Sequence, residues 1–163
     1  MHRKRPATVE EALRALESGR AATAFRSLKD LAESGVEDAF HMLGYLYDVG
    51  EGTRRSRKAA MLWYLRSYRT GRAISASNIA TIYRDSGVHR REFEWYQRAA
   101  TLGDGDAGLE VAIRYLSGKG VRRSLARAIE CLRTVLQTEH TSEAAKDTAR
   151  QLLHGCEARR RAT

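Results

Sequence analysis

Residues Gly35 to Gly71 read GVEDAFHMLGYLYDVGEGTRRSRKAAMLWYLRSYRTG, two apolar patterns of helical period on either side of a turn punctuated by Gly50 and Gly52. The stretch recurs. Trp63-Tyr64 returns as Trp95-Tyr96, a step of 32 residues. Ala39, Leu43, Gly44 and Tyr47 return as Ser75, Ile79, Ala80 and Tyr83, then as Ala107, Val111, Ala112 and Tyr115, in steps of 36 and 32. Each copy therefore holds a small residue, an aliphatic one, a second small one and a tyrosine on one side of a helix. A period of this length marks stacked helix pairs, because one pair cannot bury its apolar face alone. The small side chains at Gly44, Ala80 and Ala112 admit a neighbouring helix closely. In the second helix of each copy, Ala60 and Trp63 return as Ala128 and Cys131, 68 residues on, with Trp95 between them.

Outward from the repeats, Thr8-Val9-Glu10-Glu11 has the cap residue and the following glutamate of a capping box, so a helix starts near Val9 and ends before Gly19. Its partner runs from Ala21 to Ser34, with Leu28, Leu31 and Ala32 on one face and Lys29, Asp30 and Glu33 on the other. At the other side of the repeats, Ser142 caps a helix with Ala145, Ala149, Leu152 and Leu153 on one face. Terminal elements of a repeat stack are atypical because one side meets water.

A small residue followed by Leu43-Gly44, Tyr47, Gly50-x-Gly52, Lys58-Ala59-Ala60 and Trp63-Tyr64 resembles the Sel-one-like repeat, a relative of the tetratricopeptide repeat with a longer turn between its helices. The third copy keeps Gly118-Lys119-Gly120 and Ala128, whereas the second runs Tyr83-Arg84-Asp85-Ser86-Gly87 without paired glycines. The resemblance implies an all-α, right-handed solenoid of stacked antiparallel helix pairs, with about nine helices. The expected organisation is a basic tail over 1–7, a degenerate capping pair over 8–34 and three repeats at 35–70, 71–102 and 103–137. A closing helix over 141–155 and a second basic tail over 156–163 follow.

Chemistry is sparse. His154-Gly155-Cys156 is the one close His and Cys neighbourhood, and zinc takes four ligands arriving as spaced pairs. His41, His89 and His140 stand apart from any such set, so neither a metal nor a cofactor is expected. The glycine pairs follow no strand and precede no Gly-Lys-Ser/Thr, which separates them from phosphate loops. Asp48, Glu51 and His41 form no evident acid–base set, and the chain reads as a non-enzyme. Cys131 and Cys156 have no framework spacing, and Cys131, at a repeat tryptophan position, reads as a buried inert thiol. The longest apolar run, Ala59 to Leu65, is too short to span a bilayer, and Glu10 and Glu11 interrupt any leader-like start. A cytoplasmic protein without membrane attachment is the expectation.

Charge supplies the surface candidates. The formal net charge is +9, and a field of that sign attracts acidic proteins, nucleic acid or anionic lipid. Arg54-Arg55, Arg90-Arg91 and Arg122-Arg123 occupy corresponding inter-helix turns, so stacking is expected to align them as a basic edge. If first helices line a groove, as the resemblance implies, its positions are Asp38, His41, Tyr45 and Asp48, then Ser77, Thr81 and Arg84. The third helix would add Leu109, Ile113 and Leu116, a stripe either covered by the closing helix or free to bind. The expected function is a protein-interaction adaptor or scaffold for a partner with an acidic surface. Relatives that act as immunity proteins against toxins suggest a bacterial cognate inhibitor. Nucleic-acid binding through the arginine edge is the alternative, weakened because the aromatic rings fall on core positions and leave few to stack on bases.

Overall fold

A computed structural model describes residues 8–161. Among them are nine α-helices and no strand. They fall into two compact units divided between Thr70 and Gly71.

The described part of the first unit holds α1 (Val9–Glu17), α2 (Ala21–Glu33), α3 (Glu37–Val49) and α4 (Arg57–Arg69), each packed on the one before. The expected capping box opens α1: Glu11 N donates to Thr8 Oγ1 at 3.2 Å, and Thr8 N donates to Glu11 Oε2 at 3.1 Å. Two of the orphan amides at this terminus are thereby satisfied. The core joins Ala12, Leu28, Ala32, Ala39, Leu43, Leu46 and Trp63. Phe25 meets the edge of Tyr47 with ring centroids 5.1 Å apart, and Phe40 packs on Trp63. Gly44 is small for a reason: a Cβ there would stand 2.7 Å from Cδ1 of the buried Tyr64.

The second unit holds α5 (Ala73–Asp85), α6 (His89–Thr101), α7 (Gly105–Ser117), α8 (Leu125–Gln137) and α9 (Glu143–Arg161), again packed in chain order, with α9 also touching α7. Ile79, Ala80, Trp95, Tyr96, Val111 and Ala112 are buried, as their repeat positions require. Leu109, Ile113 and Leu116 pack with Ala145, Ala149, Leu152 and Leu153, so α9 covers the apolar stripe of α7. Cys131 is half-buried, more exposed than its tryptophan position suggested, while Leu132, at the position of Tyr64 and Tyr96, is fully buried.

The paired glycines carry the stacking. Gly52 and Gly120 have φ of +71° and +77°, a region closed to most side chains. A Cβ at Gly52 would lie 2.2 Å from the Ala21 carbonyl oxygen, and one at Gly120 would lie 2.1 Å from that of His89. The second glycine of each long turn thus seats on the first turn of the preceding pair's second helix, α2 or α6. After each turn the chain folds back, Ser56 N donating to Tyr47 O at 2.8 Å and Ser124 N to Tyr115 O at 2.9 Å. Both serines then cap the next helix.

Of the two tail expectations, one changes. Residues 1–7 lie outside the described residues. The basic run Arg159-Arg160-Arg161, expected as a tail from residue 156, belongs to α9. The helix continues past residue 155 because Cys156 is buried against the unit's core and Glu157 accepts from Arg133 Nη2 at 2.7 Å.

Candidate partner-docking groove

In the second unit, α5, the α6–α7 turn, α7 and the start of α9 enclose an open groove of about 1010 Å³. Ser77 and Thr81, expected at such a surface, line it, with Ile74 and Asn78 of the same helix. Leu102 closes one side, while Glu139, His140 and Ser142, from the link into α9, close another. Ile74 is 54% exposed and Leu102 41%, so the groove offers apolar surface to solvent.

Its polar groups are held by helix ends. Asp104 caps α7 through Ala107 N at 2.9 Å and accepts from Ser77 Oγ at 2.6 Å. Asp106 accepts from both N and Oγ of Ser142, each at 2.8 Å, which ties α7 to the cap of α9. Ser142 Oγ in turn accepts from Ala145 N at 3.2 Å. These carboxylates are thus bound to neutral donors. Glu110 lines the groove as well and accepts from Arg114 Nη1 at 2.9 Å.

Beneath the groove lies a buried network. Glu92 has no exposed surface; it accepts from Arg114 Nε at 3.1 Å and from Nη2, and meets His89 Nδ1 at 2.9 Å. Burial pushes the Glu92 carboxyl up, but the bonds from Arg114 and His89 outweigh it and hold the group below the usual range. For Arg114, burial opposes the charge, and the carboxylates of Glu92 and Glu110 more than offset it, so its pKa is raised. Tyr96, on the groove floor, has its pKa raised mainly by burial; its Oη accepts from Arg84 Nη1 at 3.2 Å. This connects Arg84, the third expected groove residue of α5, to the groove's end.

In the first unit, Asp38, His41, Tyr45 and Asp48 follow one another at helical spacing along α3. Tyr45 is 40% exposed, as an anchor for a partner would be. The ring of His41 packs on Tyr64 at 5.7 Å, and the Asp48 carbonyl accepts from Arg55 Nε at 2.6 Å.

The arginine pairs divide. Arg54-Arg55 and Arg122-Arg123 stand in the long turns and are exposed. Arg90-Arg91 does not: both residues are in the first turn of α6, because the shorter second repeat starts its helix at His89. Their side chains engage Glu94, at 3.3 Å from Arg90 Nε and 2.9 Å from Arg91 Nη1. The backbone at Gly120 nevertheless lies against His89 and Arg90, so the turn that carries Arg122-Arg123 abuts this helix start.

A family model of the Sel1 repeat matches residues 38–71, 93–104 and 107–134. The matched segments are Sel1 repeats. The unmatched interval contains α5, in agreement with the degraded second copy. A Sel1 repeat protein from Oxalobacter formigenes superposes with a TM-score of 0.74 at 20% identity, over 85% of this chain and 58% of that one. A protective antigen present in uropathogenic Escherichia coli strains, displaying the same repeat fold, gives 0.66 at 28% identity over 80% of this chain and 30% of that one. The chain thus spans less than two thirds of either structure. Among the described residues, no helix is long and apolar enough to cross a membrane.

Several groove residues escaped the sequence reading. Ile74 had a signal: it stands where the other copies have Asp38 and Asp106, an apolar residue at a polar position. Glu139 and His140 had none, since they follow the last repeat and have no register to be compared with.

Proposed function

We propose that this chain is a non-enzymatic docking module that holds another protein, and that the groove of the second unit is where the partner lies. The observation that supports this most directly is the groove itself, open, part apolar through Ile74 and Leu102, and lined with hydrogen-bonding groups. Sel1 repeats generally serve protein interaction, and Tyr45 and its neighbours on α3 offer the first unit's surface for the same task. A bacterial cognate inhibitor such as an immunity protein is one form that a module of this kind takes.

The second reading places an acidic partner on the arginine edge, favoured by the seating of the Arg122-Arg123 turn on the start of α6. Nucleic acid suits that edge less well, because Trp63, Tyr64, Trp95, Tyr96 and Tyr115 are buried and unavailable for stacking on bases.

Affinity purification of the tagged chain with quantitative mass spectrometry tests the choice. The partner is expected to be lost from a Ile74→Arg, Ser77→Arg variant and kept by a variant with Arg54, Arg55, Arg122 and Arg123 all changed to Ala. The opposite pattern would move recognition to the edge. In that case the arginine variant should associate more slowly, as rim charges mainly steer encounter.

A further inference from the structure

The net charge of +9 leads one to expect a positive surface, yet no Lys or Arg lines the groove of the second unit. Asp104, Asp106, Glu110 and Glu139 do. Two compensations operate. The N-termini of α7 and α9 face Asp104 and Asp106, each contributing roughly half a positive charge. Arg114 lies below the floor, but it is shared between Glu110 and the buried Glu92 and so neutralises only one of them. At the groove's end Arg84 is matched by Asp85, 3.9 Å from its Nε. Beside the groove Lys146 is matched by Glu143 at 3.0 Å. The groove stays negative by more than one elementary charge after all of these are counted.

Resting on the docking reading above, we infer that the groove's occupant is a cationic peptide segment, rich in Arg or Lys with interspersed aliphatic residues. Each part of the ligand has a matching feature. Glu139 is exposed at the mouth and free to meet a guanidinium or ammonium group, the geometry in which charge-assisted bonds form. Ile74 and Leu102 supply apolar contact for the aliphatic side chains. Among the described residues no hydrogen bond engages the Asn78 amide, which has a donor and an acceptor suited to a peptide backbone. A volume of about 1010 Å³ is at the upper limit of small-molecule sites and open, which suits a chain segment better than a compact ligand.

Selection of phage-displayed random peptides of about 12 residues on the full chain tests this, followed by fluorescence anisotropy of the selected peptides on wild type, Glu139→Lys and an Ile74→Ala, Asn78→Ala variant. All three positions are exposed or half-buried, and thermal melts should confirm that both variants fold like wild type. The expected result is peptides enriched in Arg and Lys whose affinity falls about tenfold or more in Glu139→Lys, and again as salt rises from about 0.05 to 0.3 M. Selected peptides that carry no cationic excess, yet are weakened by Ile74→Ala, Asn78→Ala, would overturn the cationic inference and leave the groove as the docking surface. If neither variant weakens any selected peptide, or none is selected, the inference and the groove reading fall together.

Discussion

Arg114 on α7 lays its guanidinium against the carboxylate of Glu92 on α6, and Glu92 is wholly out of contact with solvent. The pair joins two successive helix pairs through their interior. Its partners differ in kind: His89 on the same helix as Glu92, and Glu110 one turn before Arg114.

Removing one member should cost far more than removing both. Glu92→Ala leaves a buried guanidinium with Glu110 alone, and about 3 to 5 kcal/mol of stability should be lost. Glu92→Leu combined with Arg114→Met should recover most of it. Urea unfolding of the two variants beside wild type measures the difference, and equal losses in both would show that the pair is not coupled.

Acid should reveal the same carboxylate. Its pKa is held below the ordinary value of 4.5, so its contribution is complete above that value and is lost as pH falls through the lower folded one. Wild type should therefore lose stability as the pH drops below about 4.5, while Glu92→Gln should show a shallower loss over the same window. Unfolding midpoints measured at successive pH values give both slopes.

The long turns predict a contrast among glycines. Gly120→Ala meets both a positive φ and the His89 carbonyl, and should cost about 2 to 4 kcal/mol. Gly87→Ala shares the positive φ but has open space around it, so only about 1 kcal/mol is expected. Thermal melts of the two variants separate backbone strain from repeat stacking.

Two substitutions probe the helix contacts. Ala112→Leu should overpack a fully buried position and cost about 1 to 3 kcal/mol. Gly44→Ala should do the same by displacing the Tyr64 ring. A melting temperature unmoved by either would mean that these small residues do not set the helix spacing.

Tyr45→Ala should behave in the opposite way. The side chain is 40% exposed, so the melting temperature should shift by no more than about 2 °C. If α3 contributes to docking, partner affinity should fall by more than about 1 kcal/mol, the usual loss at a tyrosine anchor. Calorimetry of folding and of binding on the same variant tests the two statements together.

Much of this was legible in the order of residues. The offsets of Ala39, Leu43, Gly44 and Tyr47 and their returns place helices, core faces and turns, because a stack buries the same position of every repeat and so repeats its chemistry. Thr8, Ser56, Ser124 and Ser142 cap helices where local hydrogen-bonding rules put them. What stayed hidden depends on contacts between distant segments. Glu92 and Arg114 are 22 positions apart, and nothing in either residue type says that one loses all its solvent. Arg90-Arg91 looked like a turn pair by its spacing, but a turn four residues shorter moves it onto a helix, where Glu94 meets its charges. The sign of the groove was least accessible of all. Net charge sums over the whole chain, whereas the potential in a cleft depends on which few side chains line it, and the α6–α7 turn, α7 and the link into α9 bring carboxylates there and no Lys or Arg.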